Sequence, residues 1–251
     1  MINKMAFVLI LLVLNLNAKD ITIAVAANVS YAINDLIKEF NIENPKTKVN
    51  VILGSSGKLT AQIIHGAPYD LFMSANMKYP YSLYKNNFAT SKPKVYTKGS
   101  LAYFSTKKLD FTKTFKDLLD DTNIKQIAIA NPKTAPYGIA SFEALKNAKV
   151  FEKIKSKFVY GESISQTISY SVSATDIGIV AKSSLYSDKM SQYKENINWK
   201  EIDSTLYTPI KQGIVILKNA KNKEEVKSFY DFIFSKEAKN IFTKYGYIIN
   251  E

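Results

Sequence analysis

The sequence predicts an α/β fold made of two lobes with a ligand cleft between them. Three observations lead there. Short β-branched apolar runs alternate with stretches whose apolar residues recur at helical spacing, which is the pattern of mainly parallel sheets covered by helices. Two apolar segments, near 98–106 and 206–216, stand where a chain would cross between two halves. Four polar junctions follow strand-like runs and open helical patterns.

Ile21-Thr22-Ile23-Ala24-Val25-Ala26 reads as a strand buried on both faces. Ala32, Ile33, Leu36, Ile37 and Phe40 then mark one face of a helix, which Asn44-Pro45 stops. Strands are expected over 48–53 and 69–74, with a helix between them from about Lys58 to His65. Tyr79, Tyr81 and Tyr84 fall in a helix over 78–85, where burial against the core is preferred to a stacking platform. Ser91-Lys92-Pro93-Lys94 is a turn. Strands follow over 100–105 and 124–130, then a helix carrying Phe142, Leu145 and Ala148. Lys157 to Tyr160 leads to the fourth junction, and Ile177-Gly178-Ile179-Val180-Ala181 is a further buried strand. Thr208 to Leu217 holds a strand that returns to the first half, and helices over 223–234 and 235–244 close the chain. The expected division is a leader over 1–18, a first lobe from 19–98 plus 215–251, and a second lobe over 99–214.

The leader is read from Lys4, the apolar run Met5–Leu14, and Asn15-Leu16-Asn17-Ala18, the three parts of a secretory signal cleaved after Ala18. The run is shorter than the ~20 apolar residues a bilayer span needs. There is no cysteine, so neither a disulfide nor a lipidated thiol is expected, and the product is expected as a released monomer in a bacterial periplasm. The net charge is +12, but all 34 basic residues are lysines spread evenly along the chain. Without arginine, bidentate contacts to guanine or phosphate are impossible, and nucleic acid is not expected as a partner.

Catalytic machinery is hard to assemble. His65 is the single histidine, and it sits beside Gly66 at a helix end, where it suits a cap. There is no Gly-x-Ser-x-Gly elbow, no P-loop, no dinucleotide fingerprint and no zinc-ligand cluster. Nothing places Glu152 and Glu162 together as a carboxylate pair. No enzyme activity and no cofactor are expected.

The four junctions are Ala26-Ala27-Asn28-Val29-Ser30, Gly54-Ser55-Ser56-Gly57-Lys58, Ala135-Pro136-Tyr137-Gly138 and Gly161-Glu162-Ser163-Ile164-Ser165. Taken singly, each reads as an ordinary N-cap. A helix start also presents unpaired N–H groups and partial positive charge, and four that converge make an anion cage without a cationic side chain.

Ala26-Ala27-Asn28, Gly54-Ser55-Ser56-Gly57, the block Gly66-Ala67-Pro68-Tyr69-Asp70-Leu71-Phe72 with Ser74-Ala75, Pro136-Tyr137-Gly138, Gly178-Ile179-Val180 and Tyr245-Gly246-Tyr247 occur in order. On these residues the chain resembles the periplasmic molybdate-binding proteins of ABC transporters, over nearly its whole length after the leader. The resemblance implies a type II periplasmic binding fold, molybdate or tungstate held in the cleft, and a membrane permease as partner. By the same resemblance Asn28 takes the first ligand position, Ser56 the second, Tyr137 the third and Ile164 the fourth, with no direct metal ligand. Some relatives carry a tyrosine ligand after the Gly-Ile-Val strand where this chain has Ala181, so the Tyr137 hydroxyl is expected to replace that contact. Asp70 is expected to order its loop, since a carboxylate would repel a dianion. A cage of donors alone is expected to favour a fully deprotonated anion over hydrogen phosphate. The alternatives are a tungstate- or sulfate-specific receptor, a secreted enzyme on a bilobal scaffold, and an exported structural or adhesive protein.

Overall fold

A computed structural model describes residues 19–220 and 223–249; the expected leader over 1–18 lies outside the described residues. The first lobe is a five-stranded sheet in the order β2-β1-β3-β10-β4, from β1 (Lys19–Ala26), β2 (Thr47–Gly54), β3 (Leu71–Ser74), β4 (Lys94–Gly99) and β10 (Ile210–Ile216). The second is a five-stranded sheet in the order β7-β6-β8-β5-β9, from β5 (Leu101–Phe104), β6 (Ile127–Ala130), β7 (Phe158–Gly161), β8 (Ile177–Ala181) and β9 (Trp199–Glu201). In each sheet three strands run parallel, β2-β1-β3 and β7-β6-β8. β10 and β5, on which the chain enters each lobe from the other, run antiparallel to them.

β1 and β8 are continuous apolar runs because helices cover both faces of their sheets. On one side of the first sheet lie α1 (Ile33–Glu43), α8 (Glu224–Phe232) and α9 (Lys236–Lys244), which bury Leu36, Phe40, Phe229 and Phe242. The Phe40 and Phe229 rings meet edge to face at 5.0 Å. On the other side α2 (Ser56–Ile64) and α3 (Lys78–Lys85) bury Leu59, Ile63 and Leu83 against Phe72 and Val215. The second lobe buries Tyr103, Ile127, Ile129 and Ile179 under α4 (Phe115–Leu119), α5 (Pro136–Asn147) and α6 (Phe151–Ile154). Its other face is covered by α7 (Ile164–Ser173), through Ile168 against Phe104, Val180 and Trp199.

The structure corrects the sequence reading at three places. The return crossing enters the first sheet at Ile210, so residues 210–214, expected in the second lobe, belong to the first. β4 was unexpected: it lies at the edge of its sheet, paired with β10 and by an isolated bridge of Lys98 to Ile248, and an edge strand carrying Lys94 and Lys98 has little apolar signal. The buried face of α3 is Pro80 and Leu83 with Tyr79 half-buried against the same core, whereas Tyr81 and Tyr84 are exposed, so only one of the three tyrosines packs inward.

Asp70, buried at the entry to β3, clamps the loop. Its Oδ2 accepts the Thr22 N–H at 2.8 Å, and its Oδ1 accepts the Lys223 ammonium at 2.8 Å. Asp70→Ala leaves that amide without its partner and is expected to cost about 1–3 kcal/mol of stability. Urea denaturation checks this; an unchanged midpoint would show the clamp to be idle.

Candidate anion-binding site

The four junctions meet in one small cavity between the lobes. Its wall is Ala26, Ala27, Asn28, Ser55, Ser56, Ala75, Ala135, Pro136, Tyr137 and Ile164, around a cavity of about 10 Å³. All four residues expected at the site, Asn28, Ser56, Tyr137 and Ile164, are in that wall, and none of the wall residues is charged. Other grooves among the described residues are larger, such as the one between α1 and α8, but they lie away from these junctions.

Each contribution follows from local structure. Ser56, Tyr137 and Ile164 stand in the first turns of α2, α5 and α7, where backbone N–H groups have no acceptor within the helix. Pro136 opens α5 at a position where a missing N–H costs nothing. Ser56 Oγ accepts the Ala75 N–H at 2.9 Å, which leaves its hydrogen free to donate. Ser55 is the N-cap of α2 yet makes no capping hydrogen bond, and its buried Oγ has no partner. Two of the four buried, unpartnered side-chain polar atoms among the described residues, Ser55 Oγ and Asn28 Oδ1, belong to this one wall. Native interiors rarely leave such atoms unpaired, so they mark a place for a ligand.

The cleft is closed. The Gly57 N–H donates to Thr134 O at 2.9 Å, and Ser165 Oγ donates to Ala27 O at 2.7 Å. Ser183 Oγ donates to Asn28 O at 3.2 Å, and Lys58 pairs with Glu162 across the mouth. Glu162 is thus far from a carboxylate partner; Glu152 pairs with Lys155 instead. His65 caps α2 through its backbone N–H.

Behind the wall runs a buried polar network. Asn28 Nδ2 donates to Gln212 Oε1 at 2.8 Å and to the Tyr247 hydroxyl at 3.1 Å. The Tyr96 hydroxyl donates to Gln212 Oε1 at 2.8 Å, and Gln212 Nε2 donates to the Tyr137 hydroxyl at 3.3 Å. Burial pushes the hydroxyls of Tyr96, Tyr137 and Tyr247 above the usual tyrosine range, so all three stay neutral at physiological pH.

This network corrects two expectations. The Tyr137 hydroxyl does not stand in for the tyrosine contact missing at Ala181: it lies against Gly99 and Gln212, neither of which is in the cavity wall. Tyr137 therefore offers the cavity its backbone. Nor is the wall made of donors alone, because both amide hydrogens of Asn28 are spent behind it and Oδ1 is an acceptor. Ser55, Gln212 and Tyr247 were missed. Adjacent serines in Gly54-Ser55-Ser56-Gly57 are the one signal that points to Ser55; Tyr247 shows only as part of Tyr245-Gly246-Tyr247, with no role attached, and Gln212, 184 residues away from Asn28, has no signal.

Two lobes of this strand order, closed over a small uncharged cavity between them, define a solute-binding protein of the type II periplasmic class. The profile of the family described as "Bacterial extracellular solute-binding protein" matches residues 21–248. The chain is 31% identical over 233 residues to the molybdate-binding protein ModA of Rhodobacter capsulatus, covering 92% of this chain and 89% of that one. The ModA of Azotobacter vinelandii is 31% identical over 232 residues, covering 92% and 90%. The solved structure of the Azotobacter vinelandii periplasmic molybdate-binding protein superposes with a TM-score of 0.84 at 28% identity, covering 92% of this chain and all of that one. The chain belongs to the bacterial extracellular solute-binding proteins and, within them, to the ModA family.

Proposed function

We propose that the protein is the periplasmic receptor of an ABC transporter, which captures molybdate, and tungstate as well, in the closed cleft and hands it to a membrane permease. It works as a monomer, without catalysis and without a cofactor. One observation carries the reading: Asn28, Ser56, Tyr137 and Ile164, from both lobes, meet in one uncharged cavity beside an unpartnered buried Ser55 hydroxyl. In this reading the backbone N–H groups of Ser56, Tyr137 and Ile164 and the hydroxyls of Ser55 and Ser56 donate to the oxyanion, with Asn28 beside them.

Neutral donors are enough. Hydrogen bonds to a charged group return about 1.5–3 kcal/mol each, and a partly buried helix start adds up to ~2 kcal/mol. Several of each converge here. Because the donors come from both lobes, the anion favours the closed state over the open one. No cationic side chain is needed, which fits a chain without arginine and with Lys58 already paired at the mouth.

A thermal-shift panel of molybdate, tungstate, sulfate and phosphate tests the reading. Molybdate and tungstate are expected to raise Tm by similar amounts, and Ser56→Ala to weaken molybdate binding about tenfold or more through the loss of one charge-assisted donor. A rise with sulfate alone would replace molybdate by sulfate as the ligand. No rise with any oxyanion would leave the enzyme and adhesin readings standing in its place.

A further inference from the structure

The four junctions hold two charged residues, Lys58 in the second and Glu162 in the fourth. They belong to opposite lobes and pair across the mouth of the closed cleft. Their side chains are 48% and 67% exposed, so the pair lies outside the cavity and neither residue is in its wall. Lys58 stands in the first turn of α2, two residues after Ser56, and Glu162 stands two residues before Ile164. The second lobe holds Glu162 in place, for Thr134 Oγ1 donates to its carbonyl at 3.2 Å and its own N–H donates to Gln166 Oε1 at 2.7 Å. Thr134 is also where the first lobe lands, through the N–H of Gly57, the residue before Lys58. An ammonium in the first turn of a helix opposes the helix dipole, so local helix stability does not account for Lys58.

When the lobes part, this pair must break, because its halves travel with different lobes. The first lobe then carries Lys58 at the helix start that holds Ser56. The second lobe carries Glu162 together with the exposed Lys133, the neighbour of Thr134, and those two charges cancel. We propose that Lys58 draws the oxyanion onto the first lobe of the open protein, and that Glu162 takes over the ammonium as the lobes close. The inference rests on the receptor reading above and adds an order to it, the first lobe before the second. The anion is met by a cation and is then held by neutral donors alone. Lys58 acts on arrival through space, without touching the bound anion, and the ion pair acts on departure by holding the mouth shut. The two effects separate with salt and with the choice of partner removed. Attraction across solvent reaches roughly 30 Å at about 10 mM salt and about 3 Å at 1 M. A pair this exposed changes an equilibrium by only about two- to fivefold.

Stopped-flow mixing of the whole protein with molybdate, at about 10 mM and about 1 M salt, tests this. A dye pair on cysteines introduced at the exposed Asn86 and Asn123, one in each lobe of a chain without cysteine, reports closure. Lys58→Met is expected to slow association roughly fivefold at low salt and hardly at all at high salt. Glu162→Gln is expected to associate at least as fast as the wild type and to dissociate about two- to fivefold faster. Lys58→Arg keeps the charge and is expected to restore both rates. Equal association of the wild type and Lys58→Met at low salt would overturn the proposal and leave the pair a latch only. Association slowed to the same extent in Glu162→Gln and Lys58→Met would overturn it too, because the two charges would then not act at different steps. Molybdate binding seen as a rise in Tm, but with no closure signal, would overturn the hand-over and leave the receptor reading intact. Neither a rise in Tm nor closure with molybdate in the wild type would remove the receptor reading, and this inference with it.

Discussion

Gly57→Ala is expected to weaken molybdate binding by roughly five- to 150-fold, the range that an overpacked contact of about 1–3 kcal/mol implies. A Cβ at this position would stand 2.9 Å from Thr134 O and 3.1 Å from Thr134 Cα, both backbone atoms of the opposite lobe. The third neighbour, the Tyr79 hydroxyl at 2.9 Å, can swing away, but the backbone of Thr134 cannot. The lobes must part, and the Gly57 N–H to Thr134 O bond is stretched as they do. Stability should move the other way, because Gly57 lies in the first turn of α2, where alanine is the better helix former by up to ~1 kcal/mol. Weaker binding with an unchanged or higher Tm is therefore the signature of impaired closure. Titration calorimetry and thermal melts of the same variant check it. A Kd within threefold of wild type would show that closure tolerates the added methyl group.

Gly138→Ala is expected to damage both the second lobe and the site. Its Cβ would fall 2.2 Å from Ala130 O, 2.8 Å from Ala130 C and 2.9 Å from Asn131 C, all backbone at the end of β6. Nothing flexible can yield, so the first turn of α5 must lift off the sheet, and the Tyr137 N–H moves with it. A loss of about 3 kcal/mol is expected, the upper end of overpacking costs, or a fall in Tm of roughly 6–12 °C for a chain of this size. Molybdate protection should be weakened as well, because one of the converging helix starts is displaced. Melting without and with molybdate reads both effects. A Tm within two degrees of wild type would mean that α5 slides along β6 at little cost.

Much of this protein can be read from short-range pattern. β1 and β8 stand out because strands covered on both faces become unbroken apolar runs. The site residues Asn28, Ser56, Tyr137 and Ile164 stand out because each sits where such a run gives way to a helix start, a local transition visible within a few residues. What escaped notice lacked that locality. β4 and the three-residue β9 are edge strands, each with one strand beside it and an isolated bridge, so nothing forces an apolar alternation on them. Ser55 looks like any capping serine until its hydroxyl is seen to cap nothing.

The fold class and the helix starts that face the cleft were thus settled by residue order, since periodicity acts over one or two turns of chain. Three further matters depended on how distant segments pack. They are which groups hold the Asn28 amide from behind the cavity wall, how tightly Gly57 fits beneath Thr134, and where the return strand joins its sheet. Each turns on atoms brought together across scores of residues, where a single hydroxyl proton or a few tenths of an ångström decides the outcome, and no local pattern encodes that.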